Sequence, residues 1–72
     1  MMIMHFNDEV DQADARYQKE QTPQNELVME KAKLKFWQAK LNENPSDKEL
    51  QNRVSYHKYE VERLETDIKN GM

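Results

Sequence analysis

The stretch Leu50-Gln51-Asn52-Arg53-Val54-Ser55-Tyr56-His57-Lys58-Tyr59-Glu60-Val61-Glu62-Arg63-Leu64-Glu65-Thr66-Asp67-Ile68 decides the fold. Leu50, Val54, His57, Val61, Leu64 and Ile68 follow one another at intervals of 4, 3, 4, 3 and 4 residues. That alternation sets six side chains in a narrow stripe along one side of an α-helix. Read as heptads, Val54, Val61 and Ile68 take the a positions and Leu50, His57 and Leu64 the d positions. A β-branched a with Leu at d is the pattern of parallel two-stranded coiled coils. Such a stripe has to lie against another helix, and the residues on its N-terminal side supply one.

Pro45-Ser46-Asp47-Lys48-Glu49 marks a helix start. Ser46 and Glu49 have the S-x-x-E spacing of a capping box, in which each side chain satisfies a backbone donor at the other's position. Asn42-Glu43-Asn44-Pro45 then becomes a short connection between helices over about 24–43 and 47–69, and so short a loop makes them antiparallel. The parallel preference of the heptads conflicts with this, and the loop takes precedence. Were the second helix to pair with its own copy instead, the first would become an outer layer. Acid-first pairs at Glu49–Arg53 and Glu65–Lys69 add i,i+4 support. Asn70-Gly71 supplies a stop, with Lys69 suited to the negative end of the dipole.

The first helix of the hairpin begins at Thr22-Pro23, a hydroxyl cap followed by a proline whose missing N–H costs nothing at the first position. Leu27, Leu34, Trp37 and Leu41 share one side and face the seam. Val28, Ala32, Phe36 and Ala39, with Met29 close by, lie on nearly the opposite side. One apolar face suffices for a hairpin, so something else has to cover the second. The N-terminal segment, a second copy and a foreign protein are the three candidates, and Val28, Ala32, Phe36 and Ala39 form the candidate partner or dimer face. Ile3, Phe6, Val10, Ala13 and Tyr17, spaced 3, 4, 3 and 4, predict a third amphipathic helix from Ile3 to Glu20. Asn7 is an alternative N-cap for it. Gln18 to Asn25 reads as a polar linker. The chain is thus expected to be one all-α domain over residues 1–72, an N-terminal amphipathic segment (1–22) joined to a helical hairpin (23–70).

Composition narrows the function classes. A single glycine, two prolines, 35% charged and 36% apolar residues fit long exposed helices. A core in so short a chain rarely supplies more than about 3–5 kcal/mol without a staple. Cysteine is absent, which leaves another chain as the expected staple and a dimer as the expected state. Met1, Met2, Ile3, Met4 and Phe6 are too few for a signal peptide or membrane span, so a cytoplasmic location without membrane attachment is expected. As Met-rich segments pack adaptably, they could also dock into a partner's groove or fold back on the hairpin.

Chemistry-bearing residues are sparse. His5 and His57 are the only imidazoles, and His57-x-x-Glu60 reverses the order used in di-iron bundles, so neither metal nor cofactor is expected. His57 interrupts the apolar seam, either as a register-setting or pH-responsive group or as a packed histidine with its tip in water. Without cysteine or a glycine-rich loop, and with two serines in all, no enzyme activity is expected. Trp37, Tyr56 and Tyr59 beside Lys58 and Arg63 could stack nucleic-acid bases. Glu60, Glu62 and Glu65 among them would repel phosphate, and Lys31, Lys33, Lys35 and Lys40 are spread around their helix, so direct nucleic-acid binding is not expected.

These residues point to a non-enzymatic helical module that self-associates or docks on a larger protein as a small regulator, inhibitor or adaptor. Its seam is Leu27, Leu34, Trp37, Leu41, Leu50, Val54, His57, Val61, Leu64 and Ile68. The alternative is an acidic inhibitor of a nucleic-acid-handling enzyme that mimics phosphates with Asp8, Glu9, Asp11 and Asp14, residues equally suited to a helix start.

Overall fold

The computed structural model describes residues 8–71. Among them are three helices, α1 (Asp8–Lys19), α2 (Pro23–Glu43) and α3 (Lys48–Lys69), and no strand. Helix α2 is central: α1 and α3 each pack on it and not on each other. The molecule is therefore flattened, 38 × 33 × 13 Å, rather than closed into a three-helix bundle. Ile3, Phe6 and Asn7, expected in the first helix, and the Met-rich start lie outside the described residues.

The starts of α2 and α3 and the end of α3 each have a chemical cause. Thr22 Oγ1 accepts the Asn25 backbone N–H at 3.1 Å, and Pro23 occupies the first turn of α2. At α3 the cap is Asp47, not Ser46: one Asp47 carboxylate oxygen accepts the N–H groups of Glu49 and Leu50 at 2.9 and 3.2 Å. The capping box is thus corrected by one residue, because a carboxylate meets two free amides and the positive end of the dipole together. Helix α3 ends as expected. The Gly71 N–H donates to Ile68 O at 3.1 Å, with Gly71 at φ 88°, in the left-handed region that glycine enters without strain.

The expected linker shrinks to residues 20–22. Gln18 and Lys19 close α1, and Pro23 to Asn25 open α2. A tight local turn makes this possible: the Thr22 N–H and Asn25 Nδ2 both donate to Glu20 O at 2.9 Å. Polar residues carry no hydrophobic period, so the Thr22–Pro23 cap, and no apolar spacing, marks the start of α2 within this segment.

Packing falls into two sets on opposite sides of α2. Val10 and Ala13 of α1 bury themselves with Met29 and Ala32 of α2, and Tyr17 and Phe36 pack against that cluster. On the α3 side, Val61 and Leu64 are buried, while Leu27, Leu34, Trp37, Leu41, Leu50, Val54 and Ile68 are half-buried. The α1 helix thus takes the second apolar face of α2. Ala32 and Phe36 belong to this intramolecular packing, which corrects their place in a face open to a partner. Val28 and Ala39 of the same group remain exposed.

Since α1 touches α2 alone and a helix of 12 residues is marginal by itself, its docking can be broken separately. Val10 is 1% exposed, and Val10→Asp would bury a charge there. The expected result is loss of about a fifth of the helical circular dichroism, the share of α1 among the helical residues, with a cooperative hairpin transition remaining. Loss of all helicity would instead make α1 and the hairpin one cooperative unit.

Candidate functional site

The α2–α3 seam contains the one buried polar pair among the described residues. Glu30 Oε1 and His57 Nδ1 stand 2.6 Å apart, with side chains 10% and 11% exposed. Helical spacing puts them there. Glu30 lies three residues after Leu27 and four before Leu34, so it fills the gap in the α2 stripe, while His57 occupies the central d position of α3. Each interrupts its own apolar stripe, and the two interruptions meet. The imidazole tip is consequently not in water, which corrects that expectation for His57. No buried side-chain nitrogen or oxygen among the described residues lacks a hydrogen-bond partner.

Two charged contacts flank the pair. Lys31 Nζ lies 3.2 Å from Glu65 Oε2, and the Arg53 guanidinium lies 4.7 Å from the centroid of the Trp37 ring. Trp37 meets residue 53 and Glu30 meets residue 57, so numbers fall along α2 as they rise along α3, as an antiparallel register requires. Glu65 thus crosses to α2 instead of bonding Lys69 within its own helix. The expected Glu49–Arg53 pair forms, at 3.1 Å.

The outward side of α3 has different chemistry. Tyr56 and Tyr59 are 58% and 61% exposed, one turn apart, on heptad positions that point away from α2. A shallow open groove beside them is lined by Tyr59, Glu62, Arg63, Thr66 and Asp67. Arg63 bonds Glu60 at 2.7 Å and Asp67 at 3.3 Å. The hydrogen bond and charge of Glu60 hold the guanidinium above its ordinary value, so it is a permanent cation.

The acidic residues at the start of α1 are not all presented to solvent. Asp8 and Glu9 are exposed, and Asp11 and Asp14 are half-buried. Lys35 Nζ donates to Glu9 at 3.2 Å, joining α1 to α2. Asp8, Glu9 and Asp11 fall in the first turn, where carboxylates complement the helix dipole. Among the described residues no group of three or more His, Cys, Asp or Glu is placed to hold a metal ion. No described helix is long and apolar enough to cross a membrane.

Fold and surface define an all-α layer with a polar-centred seam and an aromatic outer ridge. No family model, curated protein or solved structure matches the chain.

Glu30 carries no signal in its residue type, but it continues the Leu27–Leu34–Trp37–Leu41 spacing at the position of the stripe filled by a charge. Removing either partner leaves polar atoms of the other in the seam without their hydrogen bond, at a cost of about 1–3 kcal/mol, a large part of the stability expected of a small domain. Glu30→Ala should therefore clearly lower the midpoint of the thermal transition. Lys31→Ala, which breaks an exposed pair, should cost no more than about 1 kcal/mol. Equal effects in urea titrations would show that Glu30 and His57 are not a coupled buried pair.

Proposed function

We infer that this chain is a non-enzymatic protein-interaction module that self-associates through the outer ridge of α3. The observation carrying this reading is the pair Tyr56 and Tyr59, large rings left well exposed one turn apart. Tyrosine and arginine are enriched at protein interfaces because they combine contact area with a polar tip. A single exposed ring needs no explanation. Two on one ridge, beside the arginine and carboxylates of an open groove, give a surface that a helix can lie on.

A second copy is the occupant this reading selects. The buried apolar residues among those described are Val10, Ala13, Met29, Ala32, Val61 and Leu64, two of them alanines. So small a core in a cysteine-free chain gains from a further interface. The ridge is also suited to self-pairing, because Glu62 and Asp67 lie beside Arg63 and an antiparallel copy can match both signs. Use as a regulator or adaptor on a larger protein would employ the same tyrosines. The acidic-inhibitor alternative has less behind it, since Lys35 engages Glu9 and two of the four carboxylates are half-buried.

Light scattering behind size exclusion, over a concentration series, tests the reading. The parent chain should show a dimer that dissociates on dilution. Tyr56→Ala with Tyr59→Ala should weaken it by at least about 30-fold, the equivalent of one interface hot spot, with unchanged helical circular dichroism. A monomer at every concentration would transfer the ridge to a foreign partner. A dimer indifferent to both substitutions would remove the ridge from the interface altogether.

A further inference from the structure

The inner side of α3 carries the heptad pattern of a parallel two-stranded coiled coil, yet it lies against α2. With Val54, Val61 and Ile68 at a and Leu50 and Leu64 at d, α3 carries the core of a parallel two-stranded coiled coil with its own copy. The structure instead places that stripe against α2 of the same chain, antiparallel. We propose that the polar contacts of the seam are a selection device that assigns α3 to α2 and excludes α3 from pairing with a second α3.

Three observations converge on this. In a parallel α3 pair, the two His57 rings would face each other at a central d layer with no carboxylate between them, whereas in the hairpin His57 meets Glu30 at 2.6 Å. The flanking charges point the same way. In the heptad frame Arg53 and Glu60 are g positions, and Lys58 and Glu65 are the e positions that follow them. A parallel pair would therefore set Arg53 against Lys58 of the partner subunit and Glu60 against Glu65 of the partner subunit, like against like on both sides of the central layer. In the hairpin, Arg53 covers Trp37, Glu65 pairs with Lys31 and Glu60 pairs with Arg63. Three of the four residues that would repel a second α3, Arg53, Glu60 and Glu65, are satisfied by α2 or by α3 itself.

The buried pair fits this role better than a purely stabilising one. Replacing both partners of a buried hydrogen-bonded pair by apolar groups of similar shape is often nearly neutral for stability. A single polar residue at a core heptad position, by contrast, is an established means of fixing register and partner. The seam is thus built for a unique partner and not for maximal strength. This inference concerns the inner stripe and does not rest on the outer-ridge reading, because Val54 lies on the opposite side of α3 from Tyr56 and Tyr59.

The absence of cysteine gives a clean reporter. In Val54→Cys, parallel in-register pairing would bring the two a-position sulfurs to bonding distance, with Cα atoms about 6 Å apart, whereas the hairpin points the introduced thiol at α2. The full-length V54C chain and V54C carrying E30L, H57L, K58E and E65K are oxidised across a concentration series and read on non-reducing gels. Those four changes make the central layer apolar and turn both like-charge pairs into attractive ones. The expected result is a monomer band for V54C and a shift to a disulfide-linked dimer for the redesigned chain. Dimer in both, or in neither, overturns the proposal. If the redesigned chain loses its helical circular dichroism, V54C with E30L and H57L alone is read by the same criterion. Loss of helicity in that variant also overturns the proposal, since the pair would then supply stability in place of selection.

Discussion

Helix α2 has to bury two apolar stripes that lie on nearly opposite sides of one helix, and the architecture follows from that constraint. A helix with a single stripe can end its folding problem by meeting one neighbour. Two stripes so far apart cannot be satisfied by two neighbours that also touch each other, since neighbours on opposite sides are held apart by the helix between them. The outcome is a layer, α1 on the Met29–Ala32–Phe36 side and α3 on the Leu27–Leu34–Trp37–Leu41 side, with α2 shared. Flatness has an energetic cost, because α1 and α3 each gain burial along one side only. The fully buried apolar residues are correspondingly few and split between two interfaces.

The two interfaces are specified differently. The α1–α2 side has an apolar centre of small and flexible groups, two alanines and a methionine around Val10, which pack with little directional demand, with Lys35–Glu9 at its exposed edge. The α2–α3 side has Glu30 and His57 at its centre with Lys31–Glu65 and Arg53–Trp37 around them. Hydrogen-bonded and charged groups tolerate little slippage, because a shift of one turn would leave a buried carboxylate or imidazole without its partner. The register of the hairpin therefore rests on a few polar atoms, while the area of contact rests on half-buried Leu, Val and Trp side chains. The loop at residues 44–47 brings the helices together, and the polar centre determines how they align.

Much of this is legible in the amino-acid sequence itself. Heptad spacing over Leu50–Ile68, the Thr22–Pro23 start and the short loop at Pro45 give the hairpin, and the two apolar sides of residues 24–43 foretell a third element. What escaped depends on contacts that apolar spacing does not encode. Glu30 is invisible to a search for apolar periodicity because it is charged, although its position completes the stripe. The choice of Lys31 over Lys69 by Glu65 depends on an interhelical register that no local pattern encodes. Ser46 and Asp47 are adjacent competent caps, and the preference for the carboxylate is decided by which side chain reaches two amides at once. The closure of residues 20–22 into a tight turn depends on Asn25 Nδ2 reaching Glu20 O, a contact between residues that individually read as linker.

Helix α3 consequently presents two surfaces whose chemistries do not compete. Its inner stripe is apolar with one polar layer, and that layer has a carboxylate to match only on α2. Its outer ridge carries rings and mixed charges with no seam to complete. A helix whose inner face could pair with any copy of itself would leave α2 with an uncovered stripe and Glu30 with no counterpart, so the loss would fall on both helices of the hairpin. Retaining His57 against Glu30 makes that exchange unfavourable without strengthening the hairpin itself. In a chain whose total stability is small, selectivity placed at one central layer is more economical than more burial, because it penalises the wrong pairing and leaves the outer ridge available for contact.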